Sequence, residues 1–538
     1  MARHSSDDTS SEAALGPRKL VPVDTELEKL LYQPIALECA IKEAFPDSRS
    51  RPDESAPVGH DPLVAGPQAF KCFVYKLAQV CDSERGGNTI TAIAVLEGCG
   101  QPEYVIASNQ RRQYQLDDVS SFLRGLLESV AQKAEEKLKR QTLQKQVLWD
   151  ILRFNMSRVK PYLSNLSKYL QECIAHCSRQ QDTDKILQKE LEALLSRASF
   201  VTDTATSPST QPKFLSDCET LIKAIVALRG GKVEEAIVSK AREGEFSSSE
   251  PWCELRHYLG RLHSYRQAAE VIILSLERWP LLFSNFKITT VPSVKQRGRP
   301  LKPSDKHTAC EIIQGMTAGR FDAEQYLSQA AELEQVAGLD SLVQEQVQKM
   351  CRPMVHAEVL LHDYLLNRGV QHQRDYYNGW KYIGTSKPPC RLCSYYFQYH
   401  TDEVEVRNSH RNLYPRWRLP DVYEDQGQEA VDGRLELLEE ITASAQEDAK
   451  RTLKERKAPR KGHDSNTYSS MPRSLKHAEV ESDFGSDTAS EPARNDHTPE
   501  IESPSTASGD EDDDDDDDDQ LYISLGEETD TDEGGSCV

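Results

Sequence analysis

Two cysteines, Cys390 and Cys393, follow a short apolar stretch and two prolines in the sequence YIGTSKPPCRLC. An apolar run that leads into a Pro-Cys turn predicts a strand followed by the start of a helix. Two thiols at this spacing can bind a metal ion, cycle as a redox pair or fill space in a core. A helix N-terminus favours thiolates, because its unpaired N–H groups stabilise negative charge. The position therefore favours metal binding, which requires further ligands.

A histidine and a glutamate upstream provide the missing groups. His356-Ala357-Glu358 lies in the sequence RPMVHAEVLLHDYLL, in or just before the first turn of a predicted helix. Structural zinc takes four protein ligands, whereas catalytic zinc takes three and leaves one position for water. Two helices side by side on one face of a sheet would bring His356 to Cys390 and Cys393. Glu358 would then face the open coordination position.

Two other uses of the cysteine pair remain open. A redox pair needs a thioredoxin-type βαβ unit before it, and the preceding sequence does not resemble one. A closed structural site could combine both cysteines with His400 and His410, but the spacing C-x2-C-x6-H-x9-H lies outside the usual zinc-finger range. We interpret His362 as a surface or packing residue of its helix and not as a ligand.

The order His-x-Glu and then Pro-Cys-x-x-Cys resembles the zinc-dependent nucleobase deaminases of the cytidine-deaminase-like superfamily. The form GTSKPPCRLC and the acidic C-terminal tail are similar to the fungal branch of that superfamily. The match covers residues 356 to 396. The resemblance implies that His356, Cys390 and Cys393 bind zinc. It also implies that Glu358 moves protons between the bound water and the base.

The resemblance extends, more loosely, to earlier parts of the chain. In that fold a helix and a β-hairpin precede the His-x-Glu helix, and PQAFKCFVYKLAQVCDSE followed by NTITAIAVLEGCGQPEYVIASN predicts such a pair. Asn109 then matches an asparagine that closes the second strand and touches the sugar. Three aromatic residues near the site could stack on a base, with ordinary loop packing as the alternative: Tyr377, Trp380 and Trp417.

The predicted fold class is α/β. It consists of a cytidine-deaminase-like α/β/α sheet, a large helical insertion or helical N-terminal domain, and a disordered acidic C-terminal tail. The predicted segments, in chain order, are a disordered N-terminus at 1–20, helices plus the first helix and hairpin at 21–111, the helical insertion at 112–350, the zinc deaminase-like core at 351–425, a charged helix at 426–457 and the acidic tail at 458–538.

The charge of the chain is concentrated at one end. The formal net charge is −22 over 538 residues, and residues 478–538 alone carry 23 acidic side chains against one arginine. The rest of the chain holds 64 acidic and 64 basic residues. This balance argues against tight, salt-sensitive binding of long duplexes. We expect the tail to bind basic partners or to mask the chain's own basic segment at 451–476.

No sequence feature suggests export or a membrane. The first residues lack an apolar core and carry acidic side chains, and the longest apolar runs are far too short for a span. Thirteen scattered cysteines, an odd number, fit reduced thiols. We expect a cytoplasmic or nuclear protein that is not secreted and has no membrane partner.

The predicted function is zinc-dependent hydrolytic deamination of a nucleobase, with cytosine favoured and adenine second. A free nucleoside, a nucleotide and a base in single-stranded nucleic acid all remain open as substrates. The rival hypothesis is a catalytically inactive interaction or scaffold protein that keeps the zinc-stabilised deaminase fold.

Overall fold

The computed structural model describes residues 18–45, 66–179, 185–202, 209–241, 246–317 and 323–456. The predicted acidic tail lies outside these residues. So does the predicted disordered N-terminus, except at its end, where Leu20 forms part of a short strand. The described part is mostly helical and contains a mixed sheet.

The seven strands of the described residues are short, with two to six residues each, and all of them pair in one of two sheets. They are β1 Leu20–Val21, β2 Thr91–Leu96, β3 Glu103–Ser108, β4 Lys287–Val291, β5 Tyr382–Thr385, β6 Glu405–Val406 and β7 Val422–Tyr423. The helices are α1 Thr25–Ala44, α2 Gly66–Cys81, α3 Gln113–Glu135, α4 Arg140–Phe154, α5 Met156–Arg179, α6 Lys185–Ala198, α7 Gln211–Leu228, α8 Lys232–Lys240, α9 Phe246–Arg278, α10 Ala309–Thr317, α11 Ala323–Ala337, α12 Leu339–Lys349, α13 Ala357–Asn367, α14 Arg391–Tyr399 and α15 Gly427–Glu455.

Five strands form the main sheet in the order β4-β3-β2-β5-β6. The pairs β2–β3 and β2–β5 are antiparallel, whereas β3–β4 and β5–β6 are parallel. The predicted hairpin is therefore confirmed as β2 and β3. Strand β6 lies within the short sequence EVEVR at 403–407. Strands β1 and β7 form a separate antiparallel pair.

Helices cover both faces of the main sheet. Successive side chains of a strand point to opposite faces. Ile93 and Val95 accordingly pack into one core with α2 and α9, whereas Ala92 and Ala94 pack into another core with α13 and α14. Burial on both faces explains why β2 reads as a continuous apolar run and not as an alternating one.

Helix α2 packs closely against β5. Apolar side chains of this helix are buried in the core that also contains Ile93 and Val95: Phe70, Phe73, Val74, Leu77 and Val80. Gly384 permits the close approach, since a Cβ atom there would lie 2.7 Å from the backbone nitrogen of Tyr75. Close packing of α2 on this strand, which leads to the cysteines, therefore requires a glycine at position 384.

The segment 112–350, predicted to be helical, includes a strand. Helices α3 to α9 pack together on the α2 side of the sheet, and the chain then returns as β4, which pairs with β3. Lys287–Val291 has the sequence KITTV, a short β-branched run that suits a strand. Because this run lies between long stretches with a helical pattern, it was not predicted as a strand.

A third core joins the two ends of the described chain. It contains Leu37 of α1, Ile312 of α10, Val343 of α12 and Leu453 of α15. The helix predicted as charged at 426–457 is thus α15, with a buried apolar stripe on one side. No helix in the described ranges is both long and apolar enough to cross a bilayer.

Candidate metal centre

Three ligand-type atoms form a nearly equilateral triangle. Nδ1 of His356 lies 3.5 Å from Sγ of Cys390 and 3.3 Å from Sγ of Cys393, and the two sulfurs are 3.5 Å apart. In a tetrahedral zinc site with ordinary bond lengths, neighbouring ligand atoms are about 3.6 to 3.8 Å apart. A disulfide would need the sulfurs at about 2.05 Å. The three side chains therefore fit three corners of a tetrahedral zinc site.

These residues are the one group of at least three metal-ligand side chains that the structure brings together among its described residues. Both cysteines are buried, and His356 is half-buried. Two sulfurs and one imidazole nitrogen are soft to borderline donors, which suit zinc better than magnesium or calcium. The donor set thus agrees with the predicted cofactor.

The first ligand stands at the start of α13. His356 occupies the N-cap position with extended backbone, and Glu358 is the second helical residue. Asn109, at the end of β3, accepts a hydrogen bond of 2.7 Å from the Ala357 N–H with its side-chain oxygen. The preceding Met354 pairs with the segment around Trp417, where its N–H donates to the carbonyl of Arg416 at 2.8 Å. Contacts from two directions therefore fix the entry into α13.

The second and third ligands stand at the start of α14. The helix begins at Arg391, so Cys390 is its N-cap residue and Pro389 precedes the cap. Burial raises the pKa of the Cys390 thiol, but hydrogen bonding to Cys393 and the charge of His356 outweigh it. The net result is a pKa well below the ordinary value. These contacts therefore favour the thiolate form of Cys390, as a metal ligand requires.

Glu358 lies beside the ligands. Its side chain is 4% exposed, and its carboxyl group hydrogen bonds with the Cys393 thiol. Burial raises the pKa of the Glu358 carboxyl above its ordinary value, and the nearby Cys390 adds to this effect, while His356 opposes it. A carboxyl group with a raised pKa keeps its proton to a higher pH than an exposed glutamate does, which suits a group that accepts and returns protons.

Arg391, between the two cysteines, ties the start of α14 to distant parts of the chain. Its guanidinium contacts Glu38 of α1 at 2.6 Å and Asp448 of α15 at 3.3 Å, and its Nε donates to the carbonyl of Arg411 at 3.0 Å. The side chain is 4% exposed, so these partners compensate a buried charge. Sequence reasoning missed this role, because the two acidic partners lie more than 50 residues away, one on each side along the chain.

The three predicted aromatic contacts lie in two different cores. Tyr377 and Trp380 belong to the core on the α2 side, where they pack against Phe70 with ring centroids at 5.7 and 4.8 Å. Trp417 lies in the same core as the cysteines, but it is fully buried. Their role in substrate binding stays a prediction.

The histidines of the alternative closed site are engaged elsewhere. Nδ1 of His400 accepts the N–H of Asp402 at 3.0 Å, and Nδ1 of His410 accepts the N–H of Asn412 at 3.0 Å. Neither residue belongs to the ligand group. The geometry of the described residues therefore favours three protein ligands over four.

Comparison with known families supports a deaminase-like region. Residues 355–421 match the family model described as "OTT_1508_deam:-like deaminase". This stretch contains all three ligand-type residues and Glu358. Comparisons with curated proteins and with solved structures give no match.

Proposed function

We propose that this protein is a zinc-dependent hydrolytic deaminase that acts on a nucleobase, with cytosine favoured, in a nucleotide or in single-stranded nucleic acid. The observation that carries the proposal is the triangle of His356, Cys390 and Cys393 with the buried Glu358 beside it. The similarity of residues 355–421 to a deaminase family supports the same reaction class. The order His-x-Glu and Pro-Cys-x-x-Cys belongs to that chemistry.

The residues have distinct roles in this reaction. His356, Cys390 and Cys393 would hold the zinc ion, which lowers the pKa of a water molecule toward neutrality. Glu358 takes a proton from the attacking water and passes protons to the ring nitrogen and the leaving amino group. Water adds to the ring carbon that bears the amine, the C–N bond breaks, and a carbonyl group and ammonia result.

The proposal is tested with the purified full-length protein and a panel of substrates. The panel contains cytidine, adenosine, their monophosphates, and single-stranded DNA and RNA oligonucleotides. We expect ammonia release together with conversion of cytosine to uracil. Glu358→Gln should retain zinc and lose at least about a hundredfold in rate, because an amide cannot carry the proton.

The same assay separates the proposal from its rival. If the wild-type protein holds zinc but converts no member of the panel, the proposal fails in favour of an interaction protein with a deaminase-like metal site. Equal activity of the wild-type and Glu358→Gln proteins would remove Glu358 from the mechanism and point to a contaminating enzyme.

A further inference from the structure

A chain of buried polar side chains connects the two helices that carry the ligand-type residues. His362 of α13 lies between Tyr396 of α14 and Asp402, which follows α14. Nδ1 of His362 is 2.9 Å from the Tyr396 hydroxyl, and Nε2 is 2.8 Å from the Asp402 carboxylate. Lys381, just before β5, forms an ion pair with the same carboxylate. Helices α13 and α14 and the entry to β5 thus share one network.

The hydrogen bonds in this network define one arrangement of protons. The Asp402 carboxylate can only accept, so Nε2 of His362 donates to it and Nδ1 is left as an acceptor. The Tyr396 hydroxyl therefore donates to Nδ1. Burial lowers the pKa of His362 below its ordinary value, although Asp402 opposes this effect, and the lowered pKa favours the neutral ring. Every polar group of the His362 ring has a partner.

The polar groups of this network are directed at one another. His362 is 0% exposed and Tyr396 is 2% exposed, and both ring nitrogens of His362 are already hydrogen bonded within the network. The Asp-His-Tyr order resembles a nucleophile with its base and orienting acid, but such a triad needs access to substrate. The network must act through the groups that it holds in place.

Its position relates it to the ligand-type residues. His362 lies six residues after His356 on α13, about 9 Å along the helix axis. Tyr396 lies three residues after Cys393 on α14, about 4.5 Å along that axis. The ligands stand at the start of each helix. A hydrogen bond farther along the two helices, between His362 and Tyr396, therefore fixes the distance between the helix starts that carry His356 and the two cysteines.

We propose that His362 and Tyr396, oriented by Asp402, are positioning residues that hold α13 and α14 at the separation required for zinc binding. This inference rests on the metal site of the proposed function. It adds two residues, His362 and Tyr396, that are neither metal ligands nor catalytic groups. The consequence is a lower zinc affinity when the His362–Tyr396 hydrogen bond is removed, even though all three ligands remain.

Tyr396→Phe tests the inference, because it removes the hydroxyl and changes little else. Tyr399→Phe is the matched control, since the Tyr399 hydroxyl bonds to Ser444 of α15 at 2.6 Å and not to α13. Zinc dissociation constants of the folded proteins are measured by competition with a chelator. We expect an increase of about tenfold for Tyr396→Phe, in the range seen for groups around metal ligands, and none for Tyr399→Phe. The absorption spectrum of the cobalt-substituted Tyr396→Phe protein should also differ from that of the wild type.

A second pair of variants keeps the test decisive if Tyr396→Phe folds poorly. His362→Gln retains a donor for Asp402 and an amide oxygen for Tyr396, whereas His362→Leu retains neither. Zinc affinity should be closer to the wild-type value in His362→Gln than in His362→Leu. If the wild-type protein binds zinc and these variants bind it equally well, the inference fails alone. If the wild-type protein binds no zinc, the inference and the proposed function fail together.

Discussion

Asn109 shows how a single side chain joins two parts of the candidate site. Its side-chain oxygen accepts the N–H of Ala357 at 2.7 Å, and its side-chain nitrogen donates to the carbonyl of Gly87 at 2.8 Å. The residue is 3% exposed. It therefore links the end of the hairpin to the helix that carries His356 and Glu358. Its predicted contact with a sugar stays a prediction beside this structural role.

The variant Asn109→Ala should destabilise the protein. It removes the acceptor of the buried Ala357 N–H, and an unsatisfied buried group costs about 1 to 3 kcal/mol in the free energy of unfolding. Asn109→Asp keeps an acceptor at the same place and should recover part of the loss. Chemical unfolding of the three proteins measures the difference. Equal stability of Asn109→Ala and the wild type would contradict this role.

At the scale of elements, local patterns were sufficient for some parts of the fold. Helix α2, the hairpin and the two helix starts that carry His356 and Cys390 each have a signal within one short stretch, and each was predicted. Strand β4 and the buried side of α15 were not predicted. Strand β4 depends on pairing with β3, and α15 depends on packing against α1, and both partners lie far away along the chain. The contacts of Arg391 and His362 were not predicted for the same reason, since their partners come close to them only in the folded protein.

Helix α9 contains a buried histidine that should make the fold sensitive to acid. His263 is 1% exposed and lies 3.1 Å from the guanidinium of Arg229. Burial lowers the pKa of His263 to about 2, and Arg229 contributes to the shift. The unfolded chain binds a proton near pH 6.5, whereas the folded protein does not. Stability is therefore lost as pH falls below about 6.5, by about 2 kcal/mol at pH 5.

His263→Gln removes this titration and should flatten the pH dependence. Thermal unfolding at pH 7.5 and pH 5 gives the change in Tm for each protein, and the other histidines contribute equally to both. We expect a smaller loss of Tm in His263→Gln than in the wild type. Identical losses would show that His263 is protonated in the folded protein.

At the scale of the whole molecule, charge is divided between a balanced body and an acidic end. Residues 478–538 carry a net charge of −22 and follow a segment, 451–476, with eight basic and two acidic residues. Arg451 and Arg456 of that segment form ion pairs with Asp448 and Glu332. The six other basic residues of the segment include Lys454 on α15 and five that lie outside the described residues.

Deletion of residues 478–538 should raise the affinity for single-stranded nucleic acid at low salt. Opposite charges joined by a short length of chain meet at a high effective concentration, so the acidic residues compete with nucleic acid for the basic segment. Added salt screens this competition, and the difference between the two proteins should then shrink. Binding of a labelled oligonucleotide over a range of salt concentrations measures the effect. An equal affinity at every salt concentration would show that the tail does not mask the basic segment.

The most direct test of the account is the zinc content of matched histidine variants. Elemental analysis of purified wild-type protein should give about one zinc ion per chain, since three good ligands bind the ion firmly. His400→Ala and His410→Ala should retain that content, whereas His356→Ala should lose most of it. Loss of zinc from His400→Ala or His410→Ala, with full zinc in His356→Ala, would contradict the open three-ligand site.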